Sequence, residues 1–220
     1  MRIGIDEAGR GCVFGPIVVC GVLASPSDEE ALRKLAVADS KSFGGDLRKA
    51  LKKREVIAEG VRNVCSVRIA IAGWRAIDKI DSLDRLERAL AGAIISDLLR
   101  ISSGSEIVLD GQLFEPLREK FANLRAESKA DVTDVIVSAA SICAKNARDK
   151  LCISLMGEEG FFSGGGYPNA KTERWIRSYV STNKCLPVGI RRSWSWCKRT
   201  GVLQLESRDA AEGLGLAGNR

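Results

Sequence analysis

The first sixteen residues, Met1-Arg-Ile-Gly-Ile-Asp-Glu-Ala-Gly-Arg-Gly-Cys-Val-Phe-Gly-Pro16, constrain the fold more than any other stretch. Ile3 and Ile5 alternate with Gly4, the pattern of a short buried strand with almost no lead-in. That strand runs into two adjacent carboxylates, Asp6 and Glu7, and then into a loop carrying Gly9, Gly11 and Gly15. Gly15-Pro16 reads as a turn, and Ile17 to Leu23 as a second, wholly apolar strand. Acids at the end of a buried strand cost free energy unless something pairs with them. The glycines let a backbone approach a ligand closely, and Arg10 is suited to holding a phosphate. A plain hairpin with a polar turn accounts for the same residues, so the rest of the chain has to decide.

The second constraint is an absence. Among 220 residues there is no histidine. Ser-His-Asp and Cys-His catalysis, histidine metal ligands and histidine general bases are all excluded together. Hydrolytic chemistry in this chain must rest on carboxylates, lysines, tyrosines or bound metal. The seven cysteines, at 12, 20, 65, 143, 152, 185 and 197, form no Cys-x-x-Cys pair, which removes the usual zinc and thioredoxin-type spacings. They read as reduced core thiols of a cytosolic protein. Met1 leads straight into a strand, with no room for a signal peptide, and no apolar run reaches membrane-spanning length. A soluble cytoplasmic protein without a membrane partner is expected. The length suits a single domain with a full core. The excess of 34 Lys and Arg over 28 Asp and Glu favours a polyanionic partner mildly.

Along the chain, Pro26-Ser27-Asp28 opens a helix to about Val37, Ala38 to Ser42 is a polar loop, and Asp46 starts a second helix to about Gly60. Arg62 to Ala72 alternates as a strand, and a short helix follows around Trp74 to Ile80. Ser82 begins a long helix through Ile101, with Leu83, Leu86, Leu90, Ile94 and Leu98 as its apolar stripe. Ile107-Val-Leu109 is a short buried strand ending in Asp110-Gly111, and Leu124 to Glu127 is a last strand. Lys129-Ala-Asp131 opens a helix of small and apolar residues reaching about Met156, and Lys171 to Tyr179 forms another. This order of elements suits a three-layer α/β domain with a mixed sheet. The expected organisation is one domain over 1–200, with a helical, basic C-terminal segment from about 160 and a flexible tail over 201–220.

Three sites distant in sequence place carboxylates just beyond apolar segments: Asp6 with Glu7, Asp110, and Asp131. If their strands are neighbours, the acids converge at one sheet edge. Four converging carboxylates repel unless a divalent cation or a bound proton relieves them. An all-oxygen ligand set favours Mg²⁺ or Mn²⁺ over zinc. Two such ions can clamp an in-line phosphodiester displacement without histidine. Simpler readings exist for single acids: Asp110-Gly111 is a common turn pair, and Asp131 is a natural helix cap.

Gly4-Ile-Asp-Glu-Ala-Gly-Arg-Gly11 resembles the N-terminal signature of the type 2 ribonuclease H family, ribonuclease HII. Ile107-Val-Leu-Asp110-Gly111 is similar to the family's second acidic strand end. Lys129-Ala-Asp131 with Val137-Ser-Ala-Ala-Ser-Ile-Cys-Ala-Lys-Asn-Ala-Arg-Asp149 resembles its fourth acid and following helix. Asp39-Ser40-Lys41 and Gly166-Tyr167-Pro168 match two further short motifs in the right order. Two details depart from the pattern: Cys12-Val13 after the glycine loop, and Asn169-Ala170 after Gly-Tyr-Pro.

The resemblance implies an RNase H-like fold and endonucleolytic hydrolysis of RNA in RNA–DNA hybrids. It also implies cutting beside single ribonucleotides embedded in DNA, leaving 3′-hydroxyl and 5′-phosphate ends. Asp6, Glu7, Asp110 and Asp131 would then be the catalytic, metal-binding acids, with Mg²⁺ or Mn²⁺ as cofactor. Gly9, Arg10 and Gly11 would read the ribose 2′-hydroxyl, the group that separates RNA from DNA. Tyr167 would stack near the RNA–DNA junction, and Lys41 and Lys145 would meet phosphates. Arg148 is expected to pair with an acid such as Asp149. The basic, aromatic stretch Arg191 to Arg199 suits either a nucleic-acid groove or indoles docked on the core. A monomer is expected, and a sliding clamp is left open as a partner without a motif that assigns one. Two other readings stand beside this one. A structure-directed DNA nuclease of the same fold would have no use for a 2′-hydroxyl reader. A non-catalytic nucleic-acid-binding module would gain by losing four acids.

Overall fold

The computed structural model describes residues 1–35 and 46–205. Five strands form one mixed sheet in the order β3-β2-β1-β4-β5. β1 (Arg2–Ala8) pairs antiparallel with β2 (Ile17–Ala24), which pairs antiparallel with β3 (Ser66–Ala72). On its other side β1 runs parallel to β4 (Glu106–Asp110), which runs parallel to β5 (Leu124–Glu127). The N-terminal strand is therefore central, which explains why Ile3 and Ile5 are fully buried.

Helices cover both faces of this sheet, and two glycines make the close approaches. Side chains on a strand point alternately to opposite faces. Gly21, paired with Ile5, lies on the face of α4 (Leu83–Ile101), where a Cβ would fall 2.4 Å from a methyl of Ile94. Gly4, one residue out of phase, lies on the other face. A Cβ there would come within 2.6 Å of the Ile136 and Val137 backbone, at the start of α6 (Val135–Phe162). Helix, sheet and helix form the three expected layers. The remaining helices are α1 (Pro26–Lys34), α2 (Leu47–Val64), α3 (Trp74–Ile77), α5 (Ala130–Thr133), α7 (Ala170–Asn183) and α8 (Ser195–Thr200). A 3-10 segment (Gln112–Glu119) joins β4 to β5.

The described chain divides into two compact units: Met1–Arg10 with Ile17–Ala72 and Ile80–Asp149, and Gly11–Pro16 with Gly73–Lys79 and Lys150 onward. The sheet belongs to the first. In the second, the Gly11–Pro16 segment is held by backbone bonds from Val13 N to Gly166 O (2.9 Å) and from Gly15 N to Gly189 O (2.8 Å). Phe14 is buried there, edge-on to Trp175 at 5.8 Å between ring centres. Gly189 adopts φ 108°, and a side chain at that position would strike the Phe14 ring.

Four sequence expectations change. The strand read from Arg62 starts at Ser66, because α2 keeps its buried face through Ala50, Ala58 and Val61 and ends at Val64. The helix read from Lys129 onward is two helices. α5 stops at Asp134, whose extended backbone starts α6 and whose Oδ1 accepts from Ile136 N (2.9 Å) and Val137 N (3.2 Å). The cap is thus Asp134, not Asp131. On α4 the fully buried stripe is Glu87, Ala91, Ile94, Ile95 and Leu98, rotated from the Leu83, Leu86 and Leu90 edge. An acid sits in that stripe. The seven cysteines are free thiols, but Cys185 is exposed and Cys65 half-buried, so only the other five are core residues. Among the described residues no helix is long and apolar enough to cross a membrane. Residues 206–220, most of the expected tail, lie outside the described residues.

Candidate active site

The parallel strands β1, β4 and β5 end at the same edge of the sheet, and each delivers an acid there. Ile5 is paired with Leu109, so Asp6 and Asp110 leave neighbouring strands side by side. Asp131 follows β5 by four residues, in α5. The crevice beyond the carboxyl ends of parallel strands is where α/β sheets bind their ligands.

Asp6 lies on the α6 face. Its carboxylate accepts from the Glu7 amide (2.7 Å) and is hydrogen-bonded by Ser141, whose hydroxyl in turn accepts from Lys145 Nζ at 2.7 Å. Burial nevertheless pushes the Asp6 carboxyl up to about 6, against Ser141 and the Lys145 charge, and the charge of Asp110 adds to the rise. Glu7 points to the opposite, α4 face. Burial first, then the charges of Asp6, Glu87 and Asp110, push it up to about 8, and Arg10 only partly opposes them. Glu7 Oε2 is buried without a hydrogen-bond partner.

Asp110 sits in a cradle of backbone amides. Lys129, exposed and in the left-handed region at φ 63°, turns the chain so that the amides of Lys129, Ala130 and Asp131 face its carboxylate, with Ala130 N at 2.7 Å. Burial raises its pKa, those amides lower it, and the neighbouring Asp131 charge raises it again; the net shift is upward. Gly111, at φ 94°, provides the turn beyond it. The turn reading of Asp110-Gly111 holds, and it leaves the Asp110 carboxylate facing those amides.

Among the described residues no three acids or cysteines are already gathered into a metal-holding cage. The donor set still fits a hard divalent cation. The acids are oxygen ligands, the charges of Asp6 and Asp110 push Glu7 up, those of Asp110 and Asp131 push up Asp6 and Asp110 respectively, and one buried oxygen is unmatched.

Of the expected substrate contacts, Gly9 adopts φ 95° and a Cβ at Gly11 would meet open space. The Arg10 guanidinium is held by Asp84 (2.5 Å) and Glu87. Lys145 stands beside Asp6, and Tyr167, in the second unit, is 45% exposed. Lys41, with the Asp39-Ser40-Lys41 motif, lies outside the described residues. Arg148 pairs with Asp149 (3.1 Å) as expected, and Arg54 joins them at 3.0 Å. Sequence reasoning missed Ser141 as a partner of Asp6, and Asp84 and Glu87 as partners of Arg10. For Glu87 a signal existed: it shares a helical face with Ala91, Ile94 and Leu98.

A family model described as Ribonuclease HII matches residues 3–197. The chain belongs to the ribonuclease HII family. Ribonuclease HII of Saccharolobus solfataricus is 34% identical over 216 residues, covering 95% of this chain and 98% of its own. That of Pyrococcus furiosus is 34% identical, covering 90% and 91%. Among solved structures, the ribonuclease HII from the Archaeoglobus fulgidus PCNA complex superposes with a TM-score of 0.74 at 31% identity, covering 91% of this chain and 96% of that one. Bst-RNase HIII, solved with Mn²⁺, shares the fold with a TM-score of 0.76 at 19% identity, covering 94% and 70%. As a ribonuclease HII family member, the protein is a metal-dependent endonuclease of the ribonuclease H type.

Proposed function

We propose that this ribonuclease HII hydrolyses the RNA strand of RNA–DNA hybrids and also cuts on the 5′ side of single ribonucleotides embedded in duplex DNA. The observation that supports the reading is that Asp6 with Glu7 and Asp110 stand at the carboxyl ends of the adjacent parallel strands β1 and β4, with Asp131 four residues beyond the parallel β5. These four acids would hold two divalent ions, Mg²⁺ or Mn²⁺, and the ions would supply activation of a water and charge neutralisation at the leaving oxygen. Water as the nucleophile gives 3′-hydroxyl and 5′-phosphate ends. Asp6 is steadied by Ser141 and Lys145, and Asp110 by the amides of residues 129–131, so their carboxylates stay oriented as charge builds.

Gly9, at φ 95°, and Gly11, which is exposed, would present peptide groups to the 2′-hydroxyl, with Arg10 between them. Tyr167, exposed beside a Gly-Pro turn, would stack at the junction, and Lys41 and Lys145 would contact phosphate. The protein acts as a cytoplasmic monomer in this reading. The PCNA complex of the Archaeoglobus fulgidus relative supports a sliding clamp as a partner here too.

The test is cleavage of three labelled duplexes: a hybrid, a DNA duplex with one ribonucleotide, and an all-DNA duplex. Each is run with Mg²⁺, Mn²⁺ or chelator. Metal-dependent cutting of the first two, 5′ of the ribonucleotide and with 3′-hydroxyl ends, is expected. Cutting of all-DNA at a similar rate would overturn the reading in favour of a structure-directed nuclease.

A further inference from the structure

Glu87 is fully buried on α4. A carboxylate so removed from water is strongly disfavoured unless a cation meets it. The cation is Arg10: Nη1 donates to Glu87 Oε2, and Nη2 donates to Asp84 Oδ1 at 2.5 Å. The two acids lie three residues apart on one helical face, so α4 holds both prongs of the guanidinium fork. Burial opposes the Arg10 charge, yet the Asp84 hydrogen bond and the Glu87, Asp84 and Glu7 charges outweigh it.

Arg10 is flanked by two glycines, one buried and one exposed. Gly9 is in the left-handed region, and a side chain at Gly11 would touch nothing within 4 Å. Arg10 is thus the one residue of Gly9-Arg10-Gly11 with a side chain to anchor, and α4 anchors it. Were Arg10 to leave for a phosphate, Glu87 would stay buried beside Glu7 without the guanidinium it now meets.

We propose that Glu87, with Asp84, is a positioning residue that sets ribose selectivity: it clamps Arg10 so that the Gly9-Arg10-Gly11 backbone keeps the shape that meets a 2′-hydroxyl. This goes with the reading, proposed above, that the loop meets the ribose. Arg10 then works by holding the loop rather than by gripping the substrate backbone. Asp84 closes the outer side of the clamp, half-exposed where Glu87 is buried.

The test uses the full chain and its Glu87→Ala, Glu87→Gln, Asp84→Asn, Arg10→Ala and Arg10→Ala/Glu87→Ala variants. Affinity is measured by fluorescence anisotropy in Ca²⁺ for two duplexes of one sequence, with and without a single ribonucleotide. The ratio of the two affinities should fall about tenfold in Glu87→Ala and in Arg10→Ala, because a site built around a hydroxyl loses its discrimination when misplaced. All-DNA affinity should stay within about threefold, and the double variant should match either single one, since both act through one contact. Glu87→Gln and Asp84→Asn, which keep side-chain shape, should show a smaller fall in the same ratio and carry the test if Glu87→Ala does not fold. An unchanged ratio in the folded variants overturns the clamp, as does a parallel loss of both affinities or a multiplicative double variant. A wild-type protein without ribonucleotide preference would instead take down the ribonucleotide reading, and the clamp with it.

Discussion

Gly4 and Val137 meet backbone to backbone: a Cβ on Gly4 would lie 2.6 Å from the Val137 amide nitrogen. That contact seats the start of α6 on the central strand, two residues before Asp6. One turn and two turns further along, α6 brings Ser141 and Lys145 to the Asp6 carboxylate.

Gly4→Ala should therefore harm both stability and activity. Overpacking against a backbone costs about 1–3 kcal/mol, although alanine fits a strand better than glycine does. A fall in the urea midpoint together with a fall in kcat is expected. A more stable, fully active variant would contradict the packing argument.

The metal-free protein should lose stability as pH rises. Asp6 and Glu7 have ordinary values of 3.8 and 4.5, and the folded protein holds them at about 6 and about 8. Between those limits the native state binds more protons than the unfolded chain, so unfolding free energy declines with increasing pH. A divalent cation competes with those protons, so Mn²⁺ should raise the melting temperature more at about pH 8 than at about pH 5. Thermal melts with chelator and with Mn²⁺ read this directly. A metal-induced gain that shrinks with rising pH would count against it.

Arg191 should tolerate no replacement. It is fully buried, with Nε donating to Gly15 O and Nη2 to Pro16 O, each at 2.9 Å, and its guanidinium lies over Trp194 at 4.8 Å. Lysine lacks the planar fork. Arg191→Lys is expected to cost about 2–4 kcal/mol, the scale of a broken buried charged hydrogen-bond set, measured by denaturant melts. Arg192, exposed, should be far more permissive.

Much of this was legible in the sequence. The alternation of Ile3 and Ile5, the Asp46 and Ser82 caps and the apolar run from Ile17 each describe local physics, and each element formed where that physics placed it. The acids could be nominated because charges at the ends of buried strands need a reason. What escaped was tertiary. Glu87 reads as one more charge on an amphipathic helix until its rotation about the helix axis is known. Asp131 and Asp134 are equally good caps on paper, and only the close seating of α6 on Gly4 decides between them. In the basic ending Arg191 is buried while Trp194 and Trp196 are half-buried, a division that composition does not show.

The ion group behind Lys145 offers a separate check. Asp149, 1% exposed, is paired with Arg148 and Arg54. Arg54→Ala should destabilise by about 3 kcal/mol, because it removes half the compensation of a buried carboxylate. The Arg54→Ala/Asp149→Asn double variant should recover part of that loss. A double variant whose loss equals the sum of the Arg54→Ala and Asp149→Asn losses, by chemical denaturation, would show that the pair contributes no coupling.

The most direct test of the central claim is single-turnover cleavage by four variants, Asp6→Asn, Glu7→Gln, Asp110→Asn and Asp131→Asn, on a duplex with one ribonucleotide in Mn²⁺. Duplex affinity is measured alongside in Ca²⁺. If the four acids together hold the two divalent ions, each variant loses cleavage by about 10²-fold or more, the scale of several kcal/mol of charge stabilisation, while affinity stays within about threefold. A variant that cuts at the wild-type rate would remove its acid from the site, and wild-type cutting by Asp110→Asn would contradict the account outright.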